Sequence, residues 1–521
     1  MKKIHRILLT VIAVTGVVFA LFLSVYSLRY TVRRLLNLNG DVIDTKDSLI
    51  WNGLWIVLVF ILVFFLGKVL RKCSDRSIHA LAVVVSMIVA AAGCCLAACL
   101  KSVPMVDQLQ VYVTAEALFA GDTDWISDYF YYKMYPFQIG LAEMYYLIFR
   151  IAGKCSPMIV QYVQAVVTGG SVYFGYRITH RIFRSKIVDC VYLLCAGLFL
   201  PIYLFDLLIY GEAIGIFFAL AAVWCFLEAN YGEYSSKMRI MCQVFCYAAL
   251  TFAYILRGSF LVLWIALVMI QILICIRTKR TWTILAPLLG IILMLGGQSA
   301  AINTAERIVG TEFGEGMPKI LWVAMGLQEN KENATGPGYY NCYTADVFTE
   351  CNYNAAEASE IAREDIRKRF LEWEKEPGEM ISFFKRKLLT QWNEPSYGVT
   401  CLIYSLDNPK EWAWNIVNDD MEHNWFLKMT NRFQSICNLA LLGYFAVLVR
   451  RKEDERMYLP GLVWLGGLLF SLIWEAGSRY VYPYVVMILP CMAGSLVLYT
   501  DKLAELIRKA SKRAKERLQN K

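Results

Sequence analysis

The feature that most limits what this chain can fold into is its series of long apolar windows. They are Ile7–Leu28, Trp51–Gly67, Ala80–Leu100, Phe137–Ile151, Met158–Tyr176, Ile187–Ile209, Ala213–Leu227, Ile240–Leu256, Ser259–Ile276, Trp282–Ala300, Phe433–Val449, Leu459–Trp474 and Tyr480–Tyr499. A helix of roughly 20 apolar residues spans the hydrocarbon of a bilayer, and inside lipid every backbone polar group must be satisfied within the protein. The windows therefore predict an all-α polytopic membrane protein of about 12–13 transmembrane helices. The composition agrees: 58% of the 521 residues are hydrophobic and 18% charged, against about a quarter charged in soluble domains. Mean hydropathy is +0.46. The opening MKKIHR and its apolar run lack an A-x-A-like cleavage site and read as a retained anchor.

The formal charge of +9 is gathered in short basic loops between windows, so it reports topology rather than nucleic-acid binding. MKKIHR, Lys68 to Arg76, Arg177 to Lys186, Lys237 and Arg239, Arg277 to Arg280, Arg450 to Arg456 and the tail after Lys502 should all be cytoplasmic. Both termini are then cytoplasmic and the number of crossings is even, so thirteen windows are one too many. Phe137–Ile151, short and interrupted by Glu143, is expected to be re-entrant or to lie on the surface.

Four pieces then face outward: the first outer loop 101–136, the turn Tyr210-Gly211-Glu212, an extracytoplasmic α-rich domain over 301–431, and the turn Glu475–Arg479. Residues 1–300 form the main transmembrane module, 432–500 the last transmembrane helices and 501–521 a cytoplasmic basic tail. Within 301–431, AAEASEIAREDIRKRFLEWEKE reads as a helix that stops at Pro377-Gly378, and MISFFKRKLLTQW as a basic amphipathic helix lying on the bilayer. Trp322, Trp373, Trp392, Trp412 and Trp414 suit an interface-hugging domain. Asn333-Ala334-Thr335 is a formal glycosylation sequon.

Most of the sixteen cysteines, such as Cys94, Cys95, Cys99, Cys225 and Cys275, sit in apolar runs as small hydrophobes. Cys342 and Cys351 could pair if their region faces an oxidising compartment. No C-x-x-C pair accompanies the four scattered histidines, so no zinc site is visible.

Charges at the outer ends of apolar windows carry the candidate chemistry. Asp107 opens a loop that stays apolar and aromatic, with a short amphipathic helix expected over Gln108–Phe119. By itself it reads as either a solvated helix end or a carboxylate tuned by a low-dielectric border. Glu212 reads as a first-turn acid or as a group facing a cavity, with buried Asp206 as its competitor. Arg257 and Arg479 run against the positive-inside trend. They are open to snorkelling, to pairing (Arg479 with Glu475, four residues away), or to holding phosphate oxygens in a bidentate fork. Lys385, Arg386 and Lys387 could add to such an anion site or meet lipid headgroups. Asp122-Thr123-Asp124 has the form of a nucleotide-sugar D-x-D motif but falls in an outer turn.

An acid soon after a transmembrane helix, the aromatic run YYKMYPFQIGL (Tyr135, Pro136, Gln138, Gly140), the Tyr210-Gly211-Glu212 turn and a late Trp474-Glu475-x-x-x-Arg479-Tyr480 together resemble the GT-C superfamily. These are integral-membrane glycosyltransferases, among them protein O-mannosyltransferases and aminoarabinose transferases, and the nearest resemblance is to their bacterial branch. The likeness covers most of the helical part and is weak over 301–431 and the first two helices. It implies a GT-C-like fold in the cell membrane with its catalytic face outside, and transfer of a sugar from a polyprenyl-phosphate donor to an extracytoplasmic acceptor. Asp107 would be the general base, Glu212 would orient it or the acceptor, and Arg257, Arg479 and Lys385 would meet the phosphate. Tyr480, Tyr135 and Gln138 would complete substrate binding. Many members carry a second acid after the first; Gln108 stands here, so a divalent cation, if held at all, is held weakly. Membrane lipids are the remaining expected partners, and a transporter or flippase of lipid-linked sugars is the alternative activity.

Overall fold

The computed structural model describes residues 2–34, 42–70, 73–128, 130–329, 336–403, 405–418, 425–450 and 454–519. Tyr129, the Asn333-Ala334-Thr335 sequon and parts of two basic loops (Arg71, Lys72 and Arg451–Glu453) lie outside them. The described chain is helical apart from a two-stranded antiparallel hairpin, Tyr30–Arg34 with Val42–Lys46, which joins the first two helices.

Among the described residues ten helices are long and apolar enough to cross a membrane: Lys3–Arg29, Leu49–Leu70, Asp75–Leu100, Glu212–Tyr231, Ser236–Leu256, Gly258–Thr278, Leu285–Val309, Trp425–Arg450, Glu455–Ile473 and Ser478–Arg513. Each answers one of the predicted windows. The other three windows differ in instructive ways. Ile139–Ala152 has 14 residues, roughly 21 Å at 1.5 Å per residue, too short for a core about 30 Å thick. Pro157–Phe183 is long enough at 27 residues but carries buried Gln161, Gln164 and Thr168 on one face.

The third window, Ile187–Ile209, is not one helix. Lys186–Leu198 ends, a short turn Pro201–Phe205 follows, and residues 206–211 are non-helical. Pro201 has no N–H to give and its ring crowds the carbonyl four residues back. That carbonyl, Gly197 O, accepts instead from the Tyr203 hydroxyl at 2.7 Å. Non-helical backbone at this depth needs partners from neighbouring helices, and the polar face of Pro157–Phe183 supplies them. Gln164 Nε2 donates to the carbonyls of Asp206 and Leu208, both at 2.8 Å, and Gln161 Nε2 to Leu207 at 3.2 Å. Thr168 Oγ1 donates to Asp206 Oδ1 at 2.5 Å, so the competing acid Asp206 is fully buried structural ballast for this segment.

The 301–431 region docks on one end of the helices rather than standing free. Met317 N–H donates to Met134 O at 3.0 Å, Val103 N–H to Ser405 O at 2.9 Å and Ala476 N–H to Gly338 O at 2.7 Å. The first loop, this region and the 475–479 turn therefore meet at one end. The helix Ala355–Lys375 ends where predicted, just before Pro377. The helix Pro377–Trp392 departs from expectation: Phe383, Lys387, Leu388, Gln391 and Trp392 are buried, so it is packed inward instead of lying open on the bilayer. Trp322, Trp373 and Trp392 are likewise buried, while Trp412 is exposed. Cys342 and Cys351 are free thiols. They flank the helix Tyr343–Glu350, which separates them by roughly 13 Å, twice what a disulfide spans.

Candidate functional site

Asp107 is the first residue of the helix Asp107–Ala120, close to the predicted span. The residue before it, Val106, sits at φ 52°, a costly conformation for a β-branched side chain. What holds the turn is Gln108: its Oε1 accepts from Ile209 N–H at 2.9 Å and its Nε2 donates to Leu402 O at 3.3 Å. Gln108 thus ties the first loop to the non-helical 206–211 segment, and Asp107 is left half-buried with Oδ2 accepting from the Tyr210 hydroxyl at 2.7 Å.

Tyr210 is the centre of the arrangement. The Arg479 guanidinium lies 4.3 Å from its ring centroid and that of Arg257 lies 4.6 Å away, both within cation–π range. Two like charges against one ring need a counter-charge, and buried Glu212 provides it. Its Oε1 is 2.6 Å from an Arg257 nitrogen and 3.6 Å from Arg479 Nε. Gly211 permits the approach, since a Cβ there would stand 2.5 Å from Leu256 O. Glu212 is the first residue of its helix, as the plainer reading expected. It pairs with the arginines, however, rather than with Asp107.

Arg479 and Glu475 do not share a helix face, because Glu475 precedes the helix that begins at Ser478. Tyr480 links them: its hydroxyl accepts from Arg479 at 3.4 Å and donates to Glu475 Oε1 at 3.1 Å. Burial pushes the Glu475 carboxyl up to about 7, against the opposing pull of Arg479 and the Tyr480 hydrogen bond. Tyr135 belongs to an aromatic rim, 4.9 Å from Tyr131 and 6.2 Å from Trp322 between ring centroids. Burial raises its hydroxyl, and nearby Tyr340, Asp107 and Glu475 add to the effect.

Asp107, Glu212, Arg257, Arg479, Tyr480 and Tyr135 are therefore brought together. One expected member is not. Lys385 Nζ lies over the Tyr26 ring at 5.1 Å, on the first helix, and Arg386 pairs with Glu329. Gln138 is buried where a short turn enters Ile139–Ala152, its N–H on Tyr135 O at 3.0 Å. The Asp122 carboxylate caps the Trp125 N–H at 3.2 Å on an exposed turn, which accounts for the D-x-D pattern. Among the described residues no three His, Cys, Asp or Glu side chains gather closely enough to hold a metal ion. Tyr210 and Glu475 were not expected as site residues in their own right, and Lys387, named with Lys385 and Arg386 for the anion site, is buried against backbone carbonyls instead.

The Arg257 and Arg479 side chains keep 13% and 15% exposure, so neither is fully sealed from the surroundings. The arrangement offers one half-open carboxylate and two fixed, partly open guanidiniums at the mouth of a helical bundle. No curated protein sequence matches the chain. A crystal structure of ArnT from Cupriavidus metallidurans bound to undecaprenyl phosphate is similar at 13% identity and a TM-score of 0.35, covering 81% of this chain and 78% of that one. Residues 7–374 match the model of the family described as conserved hypothetical integral membrane protein, and the chain belongs to that family.

Proposed function

We propose that the chain is an inverting GT-C-type glycosyltransferase. It takes a sugar from a polyprenyl-phosphate donor and gives it to a hydroxyl of a cell-envelope glycan, lipid or protein on the extracytoplasmic face, with both termini cytoplasmic. The observation that carries this reading is Asp107 Oδ2 held 2.7 Å from the hydroxyl of a tyrosine whose ring lies against two guanidiniums. A sugar phosphate is cleaved by placing a base on one side of the anomeric carbon and fixed positive charge on the other.

Asp107 accepts the acceptor hydroxyl's proton while that oxygen bonds to the anomeric carbon. The bond from that carbon to the phosphate oxygen breaks, and its electron pair leaves with the polyprenyl phosphate. Attack opposite the leaving group inverts the anomeric centre. Arg257 and Arg479 present N–H groups to the growing phosphate charge, and a well-placed donor of this kind is worth about 3–4 kcal/mol. Glu212 fixes both guanidiniums through its Oε1. The site opens at the end of the bundle because the donor's lipid remains dissolved in the membrane.

The test uses purified wild type and Asp107→Asn in detergent, with a panel of polyprenyl-phosphate hexoses and membrane extract, following release of polyprenyl phosphate. Release by wild type alone supports the assignment. Equal release by both removes Asp107 as the base. Donor that stays bound and intact with wild type favours a flippase of lipid-linked sugars.

A further inference from the structure

The helix Leu459–Ile473 ends directly before the turn that carries Glu475 and leads into Arg479. The last four carbonyls of a helix have no partner within it. Here the partners are side chains of another element, the helix Pro377–Trp392. Lys387, with no exposed surface, donates from Nζ to Leu472 O at 2.9 Å, to Trp474 O at 2.7 Å and to Gly326 O. One turn further, Gln391 Nε2 donates to Ser471 O at 3.2 Å, and its Oε1 accepts from Gly477 N–H at 3.4 Å. Trp392 Nε1 donates to Ser471 Oγ at 2.9 Å. From the other side, Ala476 N–H donates to Gly338 O at 2.7 Å, and Tyr339 pairs with Ala476.

An ammonium uses all three of its donors here, yet among the described residues no carboxylate pairs with it directly; Glu475 is the acid whose charge it feels. Packing alone would be met more cheaply by an apolar side chain, since a buried charge without a partner is costly. What the lysine provides is a fixed position for the Leu472 and Trp474 carbonyls, tied to Gly326 O, at a turn whose next helix presents Arg479 in its second residue.

We propose that Lys387 is a positioning residue for the phosphate site: it sets the 471–477 turn so that Arg479 meets Glu212 and Tyr210. Phosphate binding by the membrane helices then depends on the 301–431 region. The inference rests on Arg479 as a ligand of the donor's phosphate. Burial pulls the Lys387 ammonium down to about 7, with Glu475 opposing, and only the protonated form donates all three bonds.

The test measures undecaprenyl-phosphate affinity in detergent for wild type, Lys385→Ala, Lys387→Met, Arg479→Met and the Lys387→Met/Arg479→Met double variant. Loss of one charge-assisted contact is worth about tenfold. Lys387→Met should weaken binding by about that factor, and Lys385→Ala, whose Nζ lies over the Tyr26 ring, should not. Because Lys387 acts through Arg479, the double variant should bind no worse than Arg479→Met, whereas independent sites would add. Should Lys387→Met fail to fold, Gln391→Leu keeps the charge and predicts the same pattern with a smaller loss. Wild-type affinity in Lys387→Met, or additive losses in the double variant, overturns the inference alone. No binding by wild type overturns it together with the proposed function.

Discussion

Replacing Glu212 by Gln keeps its shape and removes the only carboxylate hydrogen-bonded or ion-paired to Arg257 and Arg479 among the described residues. Its Oε2 is buried without a hydrogen-bond partner, so the pairing rests on Oε1. Two guanidiniums would remain against the Tyr210 ring with only the unpaired influence of Asp107 and Glu475 to offset them. Removing one partner of a buried pair costs about 3–5 kcal/mol, and the residual exposure of the arginines puts the expectation near the lower end. For 521 residues, an unfolding entropy of about 2.1 cal/mol/K per residue converts this to a fall in Tm of roughly 3–4 °C. On the proposed function, polyprenyl phosphate would supply the missing negative charge, so the variant should recover more stability from it than wild type does. At a ligand concentration about 100-fold above Kd the wild type gains about 2.7 kcal/mol, and a variant binding tenfold tighter gains about 4.1. The assay is thermal unfolding in detergent with and without undecaprenyl phosphate. Unfolding of Glu212→Gln at the wild-type temperature, or a smaller ligand shift than in wild type, would refute the counter-ion role.

Two further outcomes are expected. Lys385→Ala, which loses only a contact with the Tyr26 ring, should leave undecaprenyl-phosphate affinity at the wild-type value; a loss of tenfold would return Lys385 to the phosphate site. Glu475, pushed up to about 7 by burial, keeps its proton in the folded state between about pH 4.5 and 7, where the unfolded chain has released it. Its contribution to stability is full below that window and lost as pH rises through 7, so wild type should lose stability relative to Glu475→Gln between pH 5 and 8. Parallel melting curves over that range would contradict the assignment.

The site was legible where a charge broke an apolar window. Asp107, Glu212, Arg257 and Arg479 each stand at a helix end, where an ionisable group next to lipid needs a reason. Lys385 failed because a block of basic residues carries no phase: residues two apart on a helix point about 200° away from each other. Lys387 therefore faces inward while Lys385 faces the first helix. Hydropathy also hid the break near Pro201, since Ile187–Ile209 is apolar whether or not it is helical. The signal lay in another segment, in Gln161, Gln164 and Thr168 on one face of Pro157–Phe183, which only a neighbour with unpaired backbone would require. Side-chain links such as Tyr210 to Asp107 join residues 103 positions apart, and no local pattern encodes them.

The helix that begins at Ser478 runs without interruption to Gln519, 42 residues in one piece, or roughly 63 Å. The hydrocarbon layer is about 30 Å thick, so about half the rod extends past the membrane face opposite the site. Pro483 and Pro490 lie near its start, where missing hydrogen bonds allow a bend. Arg479 and the basic far end thus belong to one continuous rod, so the residue that meets Glu212 and Tyr210 on one side and the basic tail beyond the other membrane face share a single backbone.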